Sequence, residues 1–253
     1  HSLILILSNY CMKTFMLIHG SWHNAWNWHK VVPLIEAAGH RVICIDLPGM
    51  GRDKTPVKEV TLQKSVAKIT EVIDQQPDKL ILVGHSKNGI MVSQAAEYRP
   101  DKMEALVYLA AYLVPDGKTQ REYAVQDTGG VLKPYVIFDE STQSTTLDPV
   151  IYKEGLYADC EDDIVEMAKL LLSSEPVNTG TTRLELTDEN FGRIPRYYIE
   201  CLEDRAVTPY IQQKMYMELP CQKVYQLKSS HSPFFSRPEE LVTLLFDIAS
   251  IKK

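Results

Sequence analysis

Apolar residues in this chain alternate between two habits. In some segments they form short, nearly continuous runs; in others they recur every three or four positions. The runs at 15–19, 41–45, 80–83, 105–110, 195–201 and 224–227 read as strands, most of them buried on both faces as in a parallel sheet. Helical spacing follows at 29–38, where Val32, Leu34, Ile35 and Ala38 precede a stop at Gly39, and at 61–73, with Leu62, Val66, Ile69 and Ile73 on one face. Further helices are expected over 90–98 and, after Pro238, over 239–248. Strands alternating with helices imply βαβ units with right-handed crossovers, hence an α/β fold with a mostly parallel sheet flanked by helices. The rhythm fails over 112–194, which holds Pro115, Gly117, Gly129-Gly130, a polar Ser/Thr run at 141–146 that reads as loop, and one clear helix at 162–172. This segment is expected to be a lid inserted over the C-terminal edge of the sheet, with residues 12–111 and 195–253 forming the core. No internal repeat is visible.

Composition changes this picture little. A length of 253 residues, with 45% hydrophobic and 24% charged, fits one large α/β domain or a core with a lid. The net charge of -6 gives no reason to expect nucleic acid or an anionic membrane as partner. The five cysteines, Cys11, Cys44, Cys160, Cys201 and Cys221, show neither metal-ligand nor redox spacing, which suits a reduced, cytoplasmic protein. Residues 1–11 include Leu3-Ile4-Leu5-Ile6-Leu7, too short to span a bilayer and lacking the basic region and cleavage site of a signal peptide. They are read as a leader preceding the natural-looking start at Met12; an added edge strand or a clipped export signal are the alternatives.

The chemistry centres on Leu80-Ile81-Leu82-Val83-Gly84-His85-Ser86-Lys87-Asn88-Gly89. A buried strand, a sharp turn and a helix in that order lift Ser86 off the sheet, with the next N–H free at the helix start. The pattern is the G-x-S-x-G nucleophile elbow, met imperfectly because Asn88 stands where a second glycine is asked for. A serine hydroxyl is a weak nucleophile and needs a base, itself oriented by a carboxylate. After Ser86 the acid is expected just beyond the strand at 195–201, where Asp204 and Glu203 compete; adjacent residues point differently and the residues alone leave both open. Beyond the strand at 224–227 lies His231, the base that remains once His85, beside the nucleophile, is set aside. An oxyanion needs two N–H donors. Lys87 supplies one, and Ser21, in the loop after the first strand, is assigned the other.

These stretches resemble a known group. Ile18-His19-Gly20-Ser21-Trp22-His23-Asn24-Ala25-Trp26-Asn27-Trp28, Asp46-Leu47-Pro48-Gly49-Met50-Gly51, Gly84-His85-Ser86 and Tyr198-Ile199-Glu200-Cys201-Leu202-Glu203-Asp204-Arg205-Ala206-Val207 look like the α/β-hydrolases related to plant methylesterases and hydroxynitrile lyases. Bacterial relatives of that group include small carboxylesterases of the pyrethroid-hydrolysing kind. The resemblance runs from about Met12 to Ile248 and is weakest in the lid. It implies the α/β-hydrolase fold, the triad Ser86, Asp204 and His231, the oxyanion donors Ser21 and Lys87, and no cofactor. It also implies a small-molecule ester as partner, with a homodimer as an option. The lyase branch carries a lysine directly after the triad histidine and a threonine after the first-loop histidine; here these are Ser232 and Gly20, and His85 precedes the serine as in esterases. Lyase activity is therefore disfavoured.

Other residues are read more plainly. The Lys87 side chain is expected to snorkel toward solvent, the alternative being a cation at the pocket rim. Trp26 and Trp28 are expected in the core, while Gly20, Trp22 and Tyr112 are candidates for the substrate pocket. The acidic run at 159–163 fits no metal-ligand spacing and suits a helix start, so no metal is assigned. The reading is a serine carboxylesterase for small to medium, partly hydrophobic esters. The alternatives are a lyase on the same scaffold, and a ligand-binding homologue whose elbow Lys87 and Asn88 have silenced.

Overall fold

The computed structural model describes residues 11–253; the reading of a leader over 1–11 falls, but for Cys11, outside the described residues. Strands β1 (Thr14–Ile18), β2 (Arg41–Cys44), β3 (Leu80–His85), β4 (Met103–Leu109), β8 (Arg196–Cys201) and β9 (Lys223–Leu227) form a six-stranded sheet in the order β2-β1-β3-β4-β8-β9. Every pairing is parallel. Side chains alternate between two cores, as a period of two requires. Phe15, Leu17, Ile81, Val83, Val107 and Ile199 enter the cluster that contains Ile35, Leu241 and Leu245. Met16, Ile18, Leu82, Leu106 and Tyr198 enter the other, with Val66, Ile69, Val92, Ile211 and Met215. Burial on both faces explains the continuous apolar runs of the central strands.

The helices Val32–Ala37, Leu62–Asp74, Gly89–Tyr98 and Pro238–Ser250 lie where the apolar spacing places them. The helix Pro209–Glu218 was not expected: its inward positions are Ile211, Gln212 and Met215, and a buried glutamine breaks the apolar signal.

The sheet order reverses at β1, which has β2 on one side and β3 on the other. Register places Ile18 opposite Gly84 and Gly84 opposite Tyr108, so the loops after β1 and β3 leave the same edge side by side. A crevice at such a switch point is where open α/β sheets bind ligands.

Between β4 and β8 the chain leaves the main sheet and forms a second, smaller one. The polar run at 141–146 is not all loop, as the sequence suggested. β5 (Val136–Asp139) and β6 (Ser144–Leu147) make an antiparallel hairpin, and β7 (Glu175–Pro176) adds to β6. Within the run only Ser144 is buried, a single inward position that the polarity of its neighbours concealed. The helix Asp162–Leu171 follows the expected span. Among the described residues no helix is long and apolar enough to cross a membrane.

Candidate active site

β3 ends at His85, and Ser86 follows with φ +56°, a left-handed conformation for a non-glycine residue. Such a backbone costs about 1–3 kcal/mol and persists only where its surroundings enforce it. A short 3₁₀ turn, Ser86–Asn88, leads into the helix Gly89–Tyr98. The tight contacts of this turn fall at Gly84 and Gly89. A Cβ on Gly84 would lie 2.5 Å from Val92 Cγ2, and one on Gly89 would strike the Tyr112 carbonyl oxygen. Position 88 carries no such restriction, and Asn88 uses its side chain: Nδ2 donates to the His19 carbonyl at 2.7 Å, tying the elbow to the loop after β1.

His231 is delivered by the loop after β9. Its Nε2 lies 3.1 Å from Ser86 Oγ and its Nδ1 lies 2.6 Å from Asp204 Oδ2. Asp204 is buried, and its Oδ1 accepts from the N–H groups of Ala206 (2.8 Å) and Val207 (2.9 Å). Glu203, its competitor, is exposed. With both Asp204 oxygens accepting, Nδ1–H donates to the carboxylate and the Nε2 lone pair faces the serine hydroxyl, which donates to it. The surroundings hold this arrangement. Gln212, fully buried, accepts from Cys201 N–H and donates to the Val207 and Cys201 carbonyls, bracing the turn that carries Asp204. His85 Nε2–H donates to the His231 carbonyl at 2.8 Å. Sequence reasoning missed Gln212, because its helix was missed, and gave His85 no role beyond its place in the motif.

The loop after β1 passes beside Ser86. A Cβ on Gly20 would lie 2.9 Å from Ser86 Cβ, so only glycine fits. Two histidines hold the loop's carbonyls. His19 Nδ1–H donates to the Gly20 carbonyl at 2.9 Å, while its Nε2 accepts from Leu47 N–H at 3.1 Å. His23 Nδ1–H donates to the Ser21 carbonyl at 2.7 Å, while its Nε2 accepts from the Tyr157 hydroxyl at 2.6 Å. In a trans peptide C=O and N–H point opposite ways. Fixing the Gly20 carbonyl toward His19 therefore turns the Ser21 N–H away from it.

The Lys87 side chain corrects the expectation. It does not reach solvent: its ammonium is buried against the Glu175 carboxylate of β7 and donates to the Pro176 carbonyl at 3.2 Å. No local pattern announces a partner 88 positions away. Trp22 joins the same group. Its φ is +62°, its N–H donates to Glu175 Oε2 at 3.1 Å and its indole donates to Thr145 Oγ1 at 3.2 Å. Tyr112 is buried, and its backbone N–H donates to the Ser86 carbonyl at 2.9 Å. Trp28 is in the core as expected, and Trp26, partly buried, stacks on Phe235. Among the described residues no three His, Cys, Asp or Glu side chains gather as a metal site would.

Burial holds His19, His85 and His23 below the ordinary histidine range, His23 at about 3. Each accordingly stays neutral in the fold and takes up a proton more readily when unfolded. Their contribution to stability is present above about pH 6.5 and is lost as pH falls toward the folded values. Each such group removes up to ~1.4 kcal/mol per pH unit in that window. Thermal melts at constant ionic strength should show the melting temperature dropping steadily from pH 7 to pH 5. A flat profile would contradict neutral burial.

Residues 15–244 match the alpha/beta hydrolase family. The chain is 33% identical to "Putative methylesterase 11, chloroplastic" of Arabidopsis thaliana over 94% of its own length, spanning 64% of that protein. It is 33% identical to methylesterase 7 of Arabidopsis thaliana, covering 94% of this chain and 96% of that protein. Among solved structures it resembles a pyrethroid hydrolase from Sphingobium faniae at a TM-score of 0.84 and 26% identity, covering 94% of this chain and 98% of that one. The fold, the elbow and these similarities agree: the chain belongs to the alpha/beta hydrolase family, among the relatives of the plant methylesterases.

Proposed function

We propose that this carboxylic ester hydrolase works through Ser86 as nucleophile, His231 as general base and acid, and Asp204 as the carboxylate that orients it. The observation that carries the reading is the continuous hydrogen-bonded chain from Ser86 Oγ through His231 to Asp204, mounted on a strained turn at the sheet's switch point. Ser86 Oγ attacks the ester carbonyl carbon while its proton passes to His231 Nε2. The carbonyl π pair moves to oxygen, and the Ser21 and Lys87 N–H groups receive that oxyanion. Collapse expels the alcohol, which takes the proton from Nε2. Water then attacks the acyl-enzyme by the same route, returning Ser86 and releasing the acid. No cofactor takes part in these steps. The substrates are small to medium, partly hydrophobic esters, in keeping with the methylesterase relatives.

Cyanohydrin cleavage on this scaffold is not favoured, since Ser232 offers no cation after the histidine and Gly20 no hydroxyl in the first loop. The silent-binder reading loses its motive: Asn88 tethers the elbow and the Lys87 side chain is engaged elsewhere.

The test is labelling with a fluorophosphonate, followed by intact mass. Wild type is expected to gain one adduct per chain and Ser86→Ala none. A folded wild type that fails to label would overturn the reading.

A further inference from the structure

Glu175 does more than neutralise a lysine. It stands on β7, paired in register with Thr145 of β6. Its Oε2 accepts from the Trp22 N–H, and its Oε1 meets the Lys87 ammonium. Trp22 directly follows Ser21, and Lys87 is the second donor residue. One lid carboxylate therefore reaches both halves of the oxyanion hole. The rest of Trp22 is held from the same side: its carbonyl accepts from Ser173 N–H at 3.0 Å, and its indole donates to Thr145. The Lys87 stem is covered by the lid too, since a Cβ on Gly180 would lie 3.1 Å from Lys87 Cε.

Stability is a weak reason for such a pair. Burying two charges costs much of what their attraction returns, and well-packed apolar residues usually serve as well. What the pair supplies is a fixed distance between two loops from separate strands. The loop after β1 holds a non-glycine at φ +62° and the elbow holds another at φ +56°, conformations that need outside restraint.

We propose that Glu175 is a positioning residue for the oxyanion hole: by holding the Trp22 N–H and the Lys87 ammonium together, it fixes the Ser21 and Lys87 N–H groups on one point. The proposal rests on the serine-esterase reading above. It assigns the lid a part in the chemical step and gives the unusual Lys87 a purpose. A hydrogen-bond donor displaced by a fraction of an ångström loses transition-state stabilisation while ground-state binding of the ester hardly changes.

The test uses the full chain with a p-nitrophenyl ester, active sites counted by fluorophosphonate titration. Glu175→Gln removes the charge and leaves one acceptor oxygen where the carboxylate has two, so a side chain of nearly the same shape can no longer hold both Lys87 and the Trp22 N–H. It is expected to lower kcat per titrated site about tenfold or more, with KM within about threefold. The inhibition constant of a trifluoromethyl ketone, which forms an oxyanion on the serine, should rise in proportion to the loss in kcat/KM. A purely structural carboxylate would alter the melting temperature and the titrated fraction but neither of these. If Glu175→Gln does not fold, Lys87→Met/Glu175→Gln is compared with Lys87→Met/Glu175→Leu. Both lack the two charges, and only the first keeps an acceptor for the Trp22 N–H. The glutamine form should then be faster by about tenfold. A kcat and ketone affinity within twofold of wild type in Glu175→Gln, a change in KM alone, or equal rates for the two double variants would overturn the proposal. Failure of the wild type to label is a different result, which removes the esterase reading itself.

Discussion

Replacing His231 with alanine is expected to lower kcat for an activated ester by about 10⁶-fold, the scale seen when a triad base is deleted from a serine hydrolase. None of the three other buried imidazoles around the site can take over. His85 turns its Nε2 to the His231 carbonyl, His23 turns its own to Tyr157, and the Nε2 of His19 accepts from Leu47 N–H. Each ring is buried and hydrogen-bonded to a backbone group of a loop at the site, so none can swing to Ser86 Oγ without breaking the contact it supplies. The fold should survive. The backbone carbonyl that His85 grips remains in the variant, and the loss of one imidazole leaves Asp204 still hydrogen-bonded to two N–H groups. Steady-state kinetics on protein of wild-type circular dichroism decides the matter. Residual turnover above about one per cent would show that another group takes the serine proton.

What was legible in the sequence was what a local rule encodes. β1, β3 and β4 are buried on both faces, and their continuous apolar runs report that directly. Ser86 and His231 were legible because the order of strand ends constrains which residues can meet. Asp204 was separable from Glu203 only through the family resemblance. The structure supplies the reason: Asp204 caps its own turn through Ala206 and Val207 N–H, while Glu203 faces solvent. What was not legible depends on partners far along the chain. Lys87 carries no mark of Glu175, and a lone lysine is ordinarily a surface residue. The β5–β6 hairpin lacks the Asn-Gly signal of a tight turn; it closes with Gln143 at φ +50°, and Asp139 accepts from Ser141 N–H at 2.9 Å. Its apolar strand, with Ile137 and Phe138 more than half exposed, faces outward, so alternation gave no guide.

Asp204→Asn is expected to leave the protein folded and lower kcat by about 10⁴-fold, an effect that follows from the position of one proton. In wild type Oδ1 accepts from two backbone N–H groups and Oδ2 accepts from His231 Nδ1–H. The amide of asparagine would keep its oxygen on the Ala206 and Val207 N–H groups, because an NH₂ placed there would face two donors. Its NH₂ then points at His231 Nδ1, which must accept. The imidazole proton moves to Nε2 and faces Ser86 Oγ across 3.1 Å. A protonated Nε2 cannot remove the serine proton, and the nucleophile is lost although every heavy atom stays in place. The loss should fall on kcat and on the rate of fluorophosphonate labelling, with the melting temperature little changed because the turn keeps its hydrogen bonds. Glu203→Gln serves as the comparison, since an exposed side chain in the neighbouring position should leave both rates within about twofold. If instead Glu203→Gln were the crippled variant and Asp204→Asn turned over normally, the carboxylate that orients His231 would have to be reassigned.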